Sequence, residues 1–93
     1  MYEKTKLSVM EKLHLSIVSP ENAIFDGEVE RVTLPGVQGS FSILPHHAPI
    51  ISALGAGVLS YLAEEGEHTV DIQGGFVEMN NNEVSVCVET SVG

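Results

Sequence analysis

The strongest constraint on this 93-residue chain is a two-residue alternation of apolar and polar side chains, broken repeatedly by turn-forming residues. Residues 13–17 read LHLSI and residues 84–88 read VSVCV. Glycine, proline and asparagine interrupt the pattern about every eight to twelve residues. Because successive side chains of a strand point to opposite faces, the pattern predicts an all-β domain of roughly seven to ten short strands. An antiparallel β-sandwich or flattened barrel fits this pattern.

Several short segments carry more local predictions. Residues 19–22, SPEN, have the composition of a turn, and Asp26-Gly27 is a strong hairpin signal. The alternation slips between Val29 and Val32, which predicts a β-bulge. Paired glycines at 74–75 predict a bulge or a close backbone approach, and Asn80–Asn82 suit a turn with left-handed backbone conformations.

The length of the chain favours one domain. We expect a flexible N-terminal extension over residues 1–12, a folded body over 13–89 and a short tail over 90–93. Cys87 is the only cysteine, so no disulfide within the chain is possible, and a reducing compartment fits. No apolar run is long enough to span a bilayer and the N-terminus lacks a signal-peptide pattern, so we expect no direct membrane insertion.

The charge distribution narrows the choice of partners. Four basic residues against thirteen acidic ones give a net charge of −9, which disfavours nucleic acid and anionic lipid as ligands. After Lys12 the only remaining lysine or arginine is Arg31. From Val32 to Ala63 there is no aspartate, glutamate, lysine or arginine, so with its histidines neutral this stretch carries no charge. This uncharged stretch is either the buried middle of the fold or a neutral face that a protein partner covers.

The residues that often carry chemistry do not form a recognisable site. His46 and His47 are adjacent, and no carboxylate lies between Arg31 and Glu64, so we expect no metal site. The chain lacks a nucleophile elbow and a phosphate-binding loop with its lysine. A lipoyl- or biotinyl-type carrier requires a lysine at a hairpin tip, and no lysine follows Lys12. We therefore predict a non-catalytic domain without a cofactor, either an interaction domain or a small ligand-binding β-barrel.

Taken in order, several short motifs resemble the N-terminal β-sandwich domain of the epsilon subunit of F-type ATP synthase. These motifs are VSPE (18–21), TLPGVQGSFSILPHHAP (33–49), GVL (57–59), GGFVE (74–78) and EVSV (83–86). The resemblance covers residues 13–89. It implies two antiparallel sheets with about ten short strands. It also implies a peripheral, non-catalytic subunit of the rotor's central stalk, on the cytoplasmic face of a bacterial inner membrane, that couples proton flow to ATP synthesis.

The resemblance implies two partners, the membrane c-ring and the gamma shaft. The loop expected to face the c-ring consists of Gly36, Val37, Gln38, Gly39, Ser40 and Phe41. The residues expected to face gamma are Ser19, His47, Ala48 and Pro49.

Two departures from the family pattern matter. Many family members carry an acidic residue where Ser40 stands. Here the contact with the c-ring is either neutral, or Glu28, Glu30 or another carboxylate supplies the attraction. Family members also continue into a pair of C-terminal helices after the sandwich, whereas only residues 90–93 follow it here. We therefore expect the inhibitory function of those helices to be absent.

Overall fold

A computed structural model describes residues 12–90 of the chain. These residues form nine β-strands connected by short turns. The strands are β1 (Leu13–Val18), β2 (Ala23–Val29), β3 (Arg31–Gly36), β4 (Gly39–Ile43), β5 (Ile50–Leu54), β6 (Gly57–Ala63), β7 (Gly66–Ile72), β8 (Gly74–Asn80) and β9 (Glu83–Glu89). The predicted all-β class is confirmed.

The strands form one continuous, strongly curled sheet. Its order is β2-β1-β9-β8-β5-β3-β6-β7, with β4 paired to the other side of β3. β3 therefore joins two halves that face each other, one built from β2, β1, β9, β8 and β5 and the other from β4, β6 and β7. All neighbouring pairs are antiparallel except β1 and β9, which run parallel. These two strands lie at opposite ends of the sequence and so do not need a hairpin between them.

The alternation seen in the sequence decides which side chains enter the core. Leu13, Leu15 and Ile17 of β1 are fully buried, while the residues between them are only half-buried. Full burial of one such aliphatic side chain contributes about 1.5–3 kcal/mol to folding. The buried core of residues 12–90 is entirely apolar and consists of Leu13, Leu15, Ile17, Val29, Val32, Leu34, Ile43, Leu54, Leu59, Tyr61, Ala63, Ile72, Val77, Met79, Val84, Val86 and Val88.

The predicted hairpin at Asp26-Gly27 is wrong, because both residues lie inside β2. They pair with Ser16 and Leu15 of β1 in an unbroken register. A Cβ at Gly27 would approach the ring of Phe25 to 3.0 Å, so the glycine makes room for this ring instead of forming a turn. The hairpin between β1 and β2 is formed by the predicted turn at residues 19–22.

The slip in alternation between Val29 and Val32 marks a corner between strands and not the predicted bulge. β2 ends at Val29, β3 begins at Arg31, and the backbone N–H of Glu30 donates to the carbonyl oxygen of Leu62 at 2.8 Å. At this corner the chain leaves the half that contains β1 and crosses to the half that contains β6. One residue at a corner changes the apparent phase just as a bulge does, so the sequence alone does not separate the two cases.

Two turn-related predictions are confirmed. Asn81 and Asn82 link β8 to β9 with φ angles of 53° and 61°, the left-handed region that asparagine tolerates. Gly75 has a φ of 149°, and a Cβ there would overlap the carbonyl oxygen of Cys87 and lie 2.9 Å from the Cα of Val88. The backbones of β8 and β9 can therefore approach this closely only with glycine at position 75.

Part of the predicted domain organisation lies outside the described residues. The expected flexible extension, residues 1–12, lies outside the described residues except for Lys12. The expected tail, residues 90–93, lies outside them except for Thr90. Within residues 12–90, no helix is long and apolar enough to cross a bilayer.

Candidate interaction surfaces

The residues predicted to face the c-ring form a single hairpin between β3 and β4. Gly36 and Gly39 close a two-residue loop made of Val37 and Gln38. Gly39 has a φ of 131°, and a Cβ at Gly36 would lie 2.7 Å from the carbonyl oxygen of Gly39. Both glycines are therefore required by this tight turn. Val37 at the tip is 63% exposed, so the hairpin presents an apolar side chain to solvent.

The hairpin is supported along one side by β5. The backbone N–H of Val37 donates to the carbonyl oxygen of Ala53 at 3.2 Å, and that of Gly55 donates to the carbonyl oxygen of Pro35 at 2.8 Å. Phe41 is half-buried and packs against the core, whereas Ser40 is exposed. The structure thus brings all six predicted residues together in one braced, uncharged projection.

The histidine-containing loop between β4 and β5 begins with a tight turn. The backbone N–H of His47 donates to the carbonyl oxygen of Leu44 at 3.1 Å, with Pro45 and His46 between them. His46 has a φ of 67°, so the turn has the type II arrangement with proline first and a left-handed residue second. Glycine or asparagine normally takes this second position, because a bulkier side chain is strained there.

A side chain from another hairpin holds this turn. The backbone N–H of His46 donates to Oδ1 of Asn82 at 2.7 Å. The ring Nδ1 of His47 lies 2.9 Å from the carbonyl oxygen of Ala48. His47, Ala48 and Pro49 are all exposed, so the loop offers a fixed and accessible edge to a partner.

Ser19 lies at a different place from the other residues predicted to face gamma. Its N–H donates to the carbonyl oxygen of Asn22 at 2.8 Å, and its Oγ accepts from the N–H of Asn22 at 3.2 Å. Ser19 follows the end of β1, whereas Pro49 precedes the start of β5, and β9 and β8 lie between these two strands. Three strand spacings correspond to about 14 Å. The structure therefore divides the predicted gamma-facing residues into two separate groups.

An apolar surface that the sequence analysis missed lies between these two groups. We call it the apolar face and define it as Val18, Ile51, Ala53, Phe76 and Cys87. Strand register places Ala53 opposite Phe76, Phe76 opposite Cys87 and Cys87 opposite Val18, which makes one row across four strands. Ile51 is 80% exposed and Phe76 is 51% exposed. An exposed patch of large apolar residues on a small domain is typical of a protein-binding surface.

The apolar face also has a shape that suits a partner. Phe76 and Cys87 line a mostly apolar depression together with Val18, Ser19 and Pro20. The depression brings Ser19 into contact with the apolar face. At the other end of the same face, Ile51 shares a second depression with Pro49. The alternation within residues 84–88 already pointed Cys87 outward, but its neighbours on other strands depend on register, which a single sequence does not reveal.

The opposite half of the domain carries Tyr61, the titrating group with a shifted pKa among residues 12–90. Tyr61 packs between the rings of Phe25 and His68, with centroid distances of 4.4 Å and 5.3 Å. Burial, and next the nearby carboxylate of Glu65, raise the pKa of the Tyr61 hydroxyl above its usual value of 10.0. Tyr61 joins the two halves of the sheet, because Phe25 belongs to β2 and His68 to β7. We interpret Tyr61 as a structural residue, because a hydroxyl that is neutral at physiological pH does not act as a general base.

Within residues 12–90, no group of three or more histidine, cysteine, aspartate or glutamate side chains has an arrangement that would hold a metal ion. His46 and His47 lie on a turn and not on an extended segment, but they remain without a clustered carboxylate partner in that part of the chain. Cys87 is half-buried beside Phe76.

Comparison with known proteins gives these surfaces a family context. A family model for the ATP synthase Delta/Epsilon chain beta-sandwich domain matches residues 12–93. The ATP synthase epsilon chain of Leptospira borgpetersenii is 41% identical over 78 residues, covering 84% of this chain and 61% of the relative. That of Nitratidesulfovibrio vulgaris is 43% identical over 83 residues, covering 88% of this chain and 62% of the relative. The chain thus spans about three fifths of the length of these relatives.

Solved structures share the fold at lower sequence identity. A chain of the Euglena gracilis mitochondrial ATP synthase, solved with its c-ring, superposes with a TM-score of 0.78 at 22% identity, covering 84% of this chain and 51% of that one. A chain of the Tetrahymena thermophila mitochondrial ATP synthase central stalk and c-ring gives 0.70 at 16% identity, covering 85% and 64%. The nine-stranded fold, the match over residues 12–93 and the bacterial relatives agree, and this chain belongs to the family of β-sandwich domains of ATP synthase delta and epsilon chains.

Proposed function

We propose that this domain is a central-stalk component of a proton-translocating F-type ATP synthase, where it joins the gamma shaft to the membrane c-ring. In this role it couples rotation of the ring to ATP synthesis without catalysing a reaction itself. The family membership supports this proposal, as do the two similar mitochondrial chains, which come from structures that contain a c-ring. The relatives named above are bacterial, which favours a position on the cytoplasmic face of the inner membrane.

The apolar face is the observation that carries the proposal. It lies between Ser19 at one end and Pro49 at the other, the two groups that the family resemblance assigns to gamma. A gamma subunit that covers the apolar face would touch both groups at once. Burial of Ile51 and Phe76 at such an interface would contribute roughly 2–4 kcal/mol to binding, from the burial of two largely exposed side chains.

The β3–β4 hairpin is the proposed contact with the c-ring. Its residues Gly36 to Phe41 are uncharged, so the contact relies on shape and on the exposed Val37. Hydrogen bonds to Ala53 and Pro35 brace the hairpin on the strand that also carries Ile51. A torque received at the hairpin therefore passes through β5 into the proposed gamma contact along a short path.

The experiment that tests this function measures binding of the 93-residue chain to the purified gamma subunit of the same organism. We expect Phe76→Asp to weaken binding about 30-fold or more, since a loss of about 2 kcal/mol corresponds to that factor. Val58→Asp is the matched control, because Val58 is 53% exposed on β6 in the other half of the domain. Equal binding by the wild type and the Phe76→Asp variant would refute the proposed gamma contact.

A further inference from the structure

The charges around the apolar face are distributed unevenly. Five carboxylates lie on the same outer surface, all of them on β2, β8 and β9, and we call them the acidic margin: Asp26, Glu28, Glu78, Glu83 and Glu89. Register shows that they share this surface. Glu78 lies directly opposite Ile51, and Glu83 and Glu28 lie opposite His14 from its two sides. Directly opposite side chains on one sheet face have Cβ atoms about 5 Å apart.

Within residues 12–90, the acidic margin is exposed and outnumbers the basic side chains near it. All five carboxylates belong to exposed residues. The basic side chains on this side are His14, with its Nε2 3.0 Å from Oδ1 of Asp26, and Lys12, two residues before it in the chain. Arg31 begins β3 and faces β7 of the other half, where its Nη2 is 3.6 Å from Oε2 of Glu67. The outer surface therefore changes from uncharged at β5 to negative across β8, β9 and β2.

The other end of the same surface carries no charge. β5 and the β3–β4 hairpin fall within the uncharged stretch from Val32 to Ala63. An apolar patch alone permits a partner to slide or rotate on it, because hydrophobic attraction has no direction. A charged border on one side fixes the orientation, since only one placement sets opposite charges against it.

We propose that the partner of the apolar face is a segment with apolar side chains flanked on one side by lysine or arginine, and that the carboxylates of the acidic margin form ion pairs with those basic residues. This inference rests on the proposed function and identifies the chemistry of the gamma surface that docks here. The apolar side chains lie over Ile51 and Phe76. The basic side chains lie over β9, β1 and β2, away from the hairpin. The margin thus sets the angle at which the domain sits on the shaft.

The test compares two double variants that change the net charge equally. Glu78→Lys with Glu83→Lys reverses two charges in the acidic margin. Glu64→Lys with Asp71→Lys reverses two exposed charges in the other half of the domain. Affinity of each 93-residue variant for purified gamma is measured at about 50 and about 300 mM salt, because screening weakens contacts between exposed charges over this range.

We expect the margin variant to lose about tenfold in affinity at low salt and to lose most of its salt dependence, and the control variant to match the wild type within about twofold. Equal losses in both variants would overturn the inference, since net charge alone would then explain them. Unchanged affinity of the margin variant, with Phe76→Asp still disruptive, would also overturn it while leaving the proposed function intact. If Phe76→Asp leaves the affinity for gamma unchanged, the proposed gamma contact is refuted, and the inference about the acidic margin is refuted with it.

Discussion

The close approach of β8 to β9 at Gly75 makes a quantitative prediction about stability. Replacement of Gly75 by alanine forces a Cβ onto the carbonyl oxygen of Cys87 and to 2.9 Å from the Cα of Val88. Ordinary carbon–carbon contacts are about 3.5–4.0 Å, so the two strands must separate. Both neighbours are backbone atoms of the adjacent strand and cannot move aside as a flexible side chain would.

Two terms set the size of the effect. An L-residue at the φ of 149° that Gly75 adopts costs about 1–3 kcal/mol. Separation of the strands at the Gly75–Val88 pair weakens ladder hydrogen bonds, each worth about 0.5–1.5 kcal/mol. The sum is about 2–5 kcal/mol. The stability of a domain of this size is only about 4–12 kcal/mol, so Gly75→Ala removes a large fraction of it.

Gly66→Ala provides the matched control. Gly66 has a φ of 132°, but a Cβ there has no neighbour within 4 Å. Both variants carry the same change in unfolded-state entropy, and both impose an unfavourable φ. The difference between them therefore isolates the cost of the close approach, which we expect to be about 1–2 kcal/mol.

Urea unfolding followed by far-ultraviolet circular dichroism measures this difference directly, and a thermal melt gives a second reading. In the thermal melt, we expect the melting temperature of Gly75→Ala to lie below that of Gly66→Ala by about 5–10 °C, since 1 kcal/mol shifts the melting temperature of a small domain by about 4–8 °C. Equal losses of stability in the two variants would refute the reasoning, because the overlap with Cys87 would then carry no energetic cost.

Two further predictions concern the histidine loop and the buried tyrosine. We expect Asn82→Gly to speed hydrogen exchange at the amide of His46 about tenfold, because it removes the acceptor of that amide. Asn81→Gly, at a neighbouring residue with the same left-handed backbone, should leave the exchange rate unchanged. Equal exchange rates in the two variants would show that Asn82 does not hold the His46 amide. In a Tyr2→Phe variant, ultraviolet absorbance isolates the ionisation of Tyr61, whose midpoint should exceed 10.0. Because folding raises the pKa of the Tyr61 hydroxyl, the stabilisation linked to its neutral form is complete below pH 10 and is lost as the pH rises above 10. A titration midpoint at or below 10.0 would contradict the burial of the hydroxyl.

The fold class and the buried faces of two strands were predictable from the sequence because they depend on local periodicity. The alternation in residues 13–17 and 84–88 reads directly as the buried and exposed faces of β1 and β9. Asp26-Gly27 misled the prediction, since a strong turn dipeptide was overridden by strand pairing and by the packing of the Phe25 ring. Propensity for a turn is weaker than the tertiary contacts that a continuous strand gains.

The interaction surfaces were predictable only in part. The six residues of the hairpin are contiguous, so their common location followed from sequence position alone. The apolar face is built from β1, β5, β8 and β9, and no local signal states which residues of these strands lie side by side. Its most exposed member, Ile51, lies on β5, and no local sequence signal places it beside Phe76 and Cys87. The association of Ser19 with this face likewise required the register of β1 and β9.

The parallel pairing of β1 and β9 also determines how the domain responds to mechanical force. Five residue pairs join the two strands, from His14 with Glu83 to Val18 with Cys87. Because the strands run in the same direction, a pull that draws Lys12 and Thr90 apart loads all five pairs in shear at the same moment. In an antiparallel terminal hairpin the same pull would open the pairs one at a time. The first and last strands of the described residues are therefore held together by a pairing that resists shear.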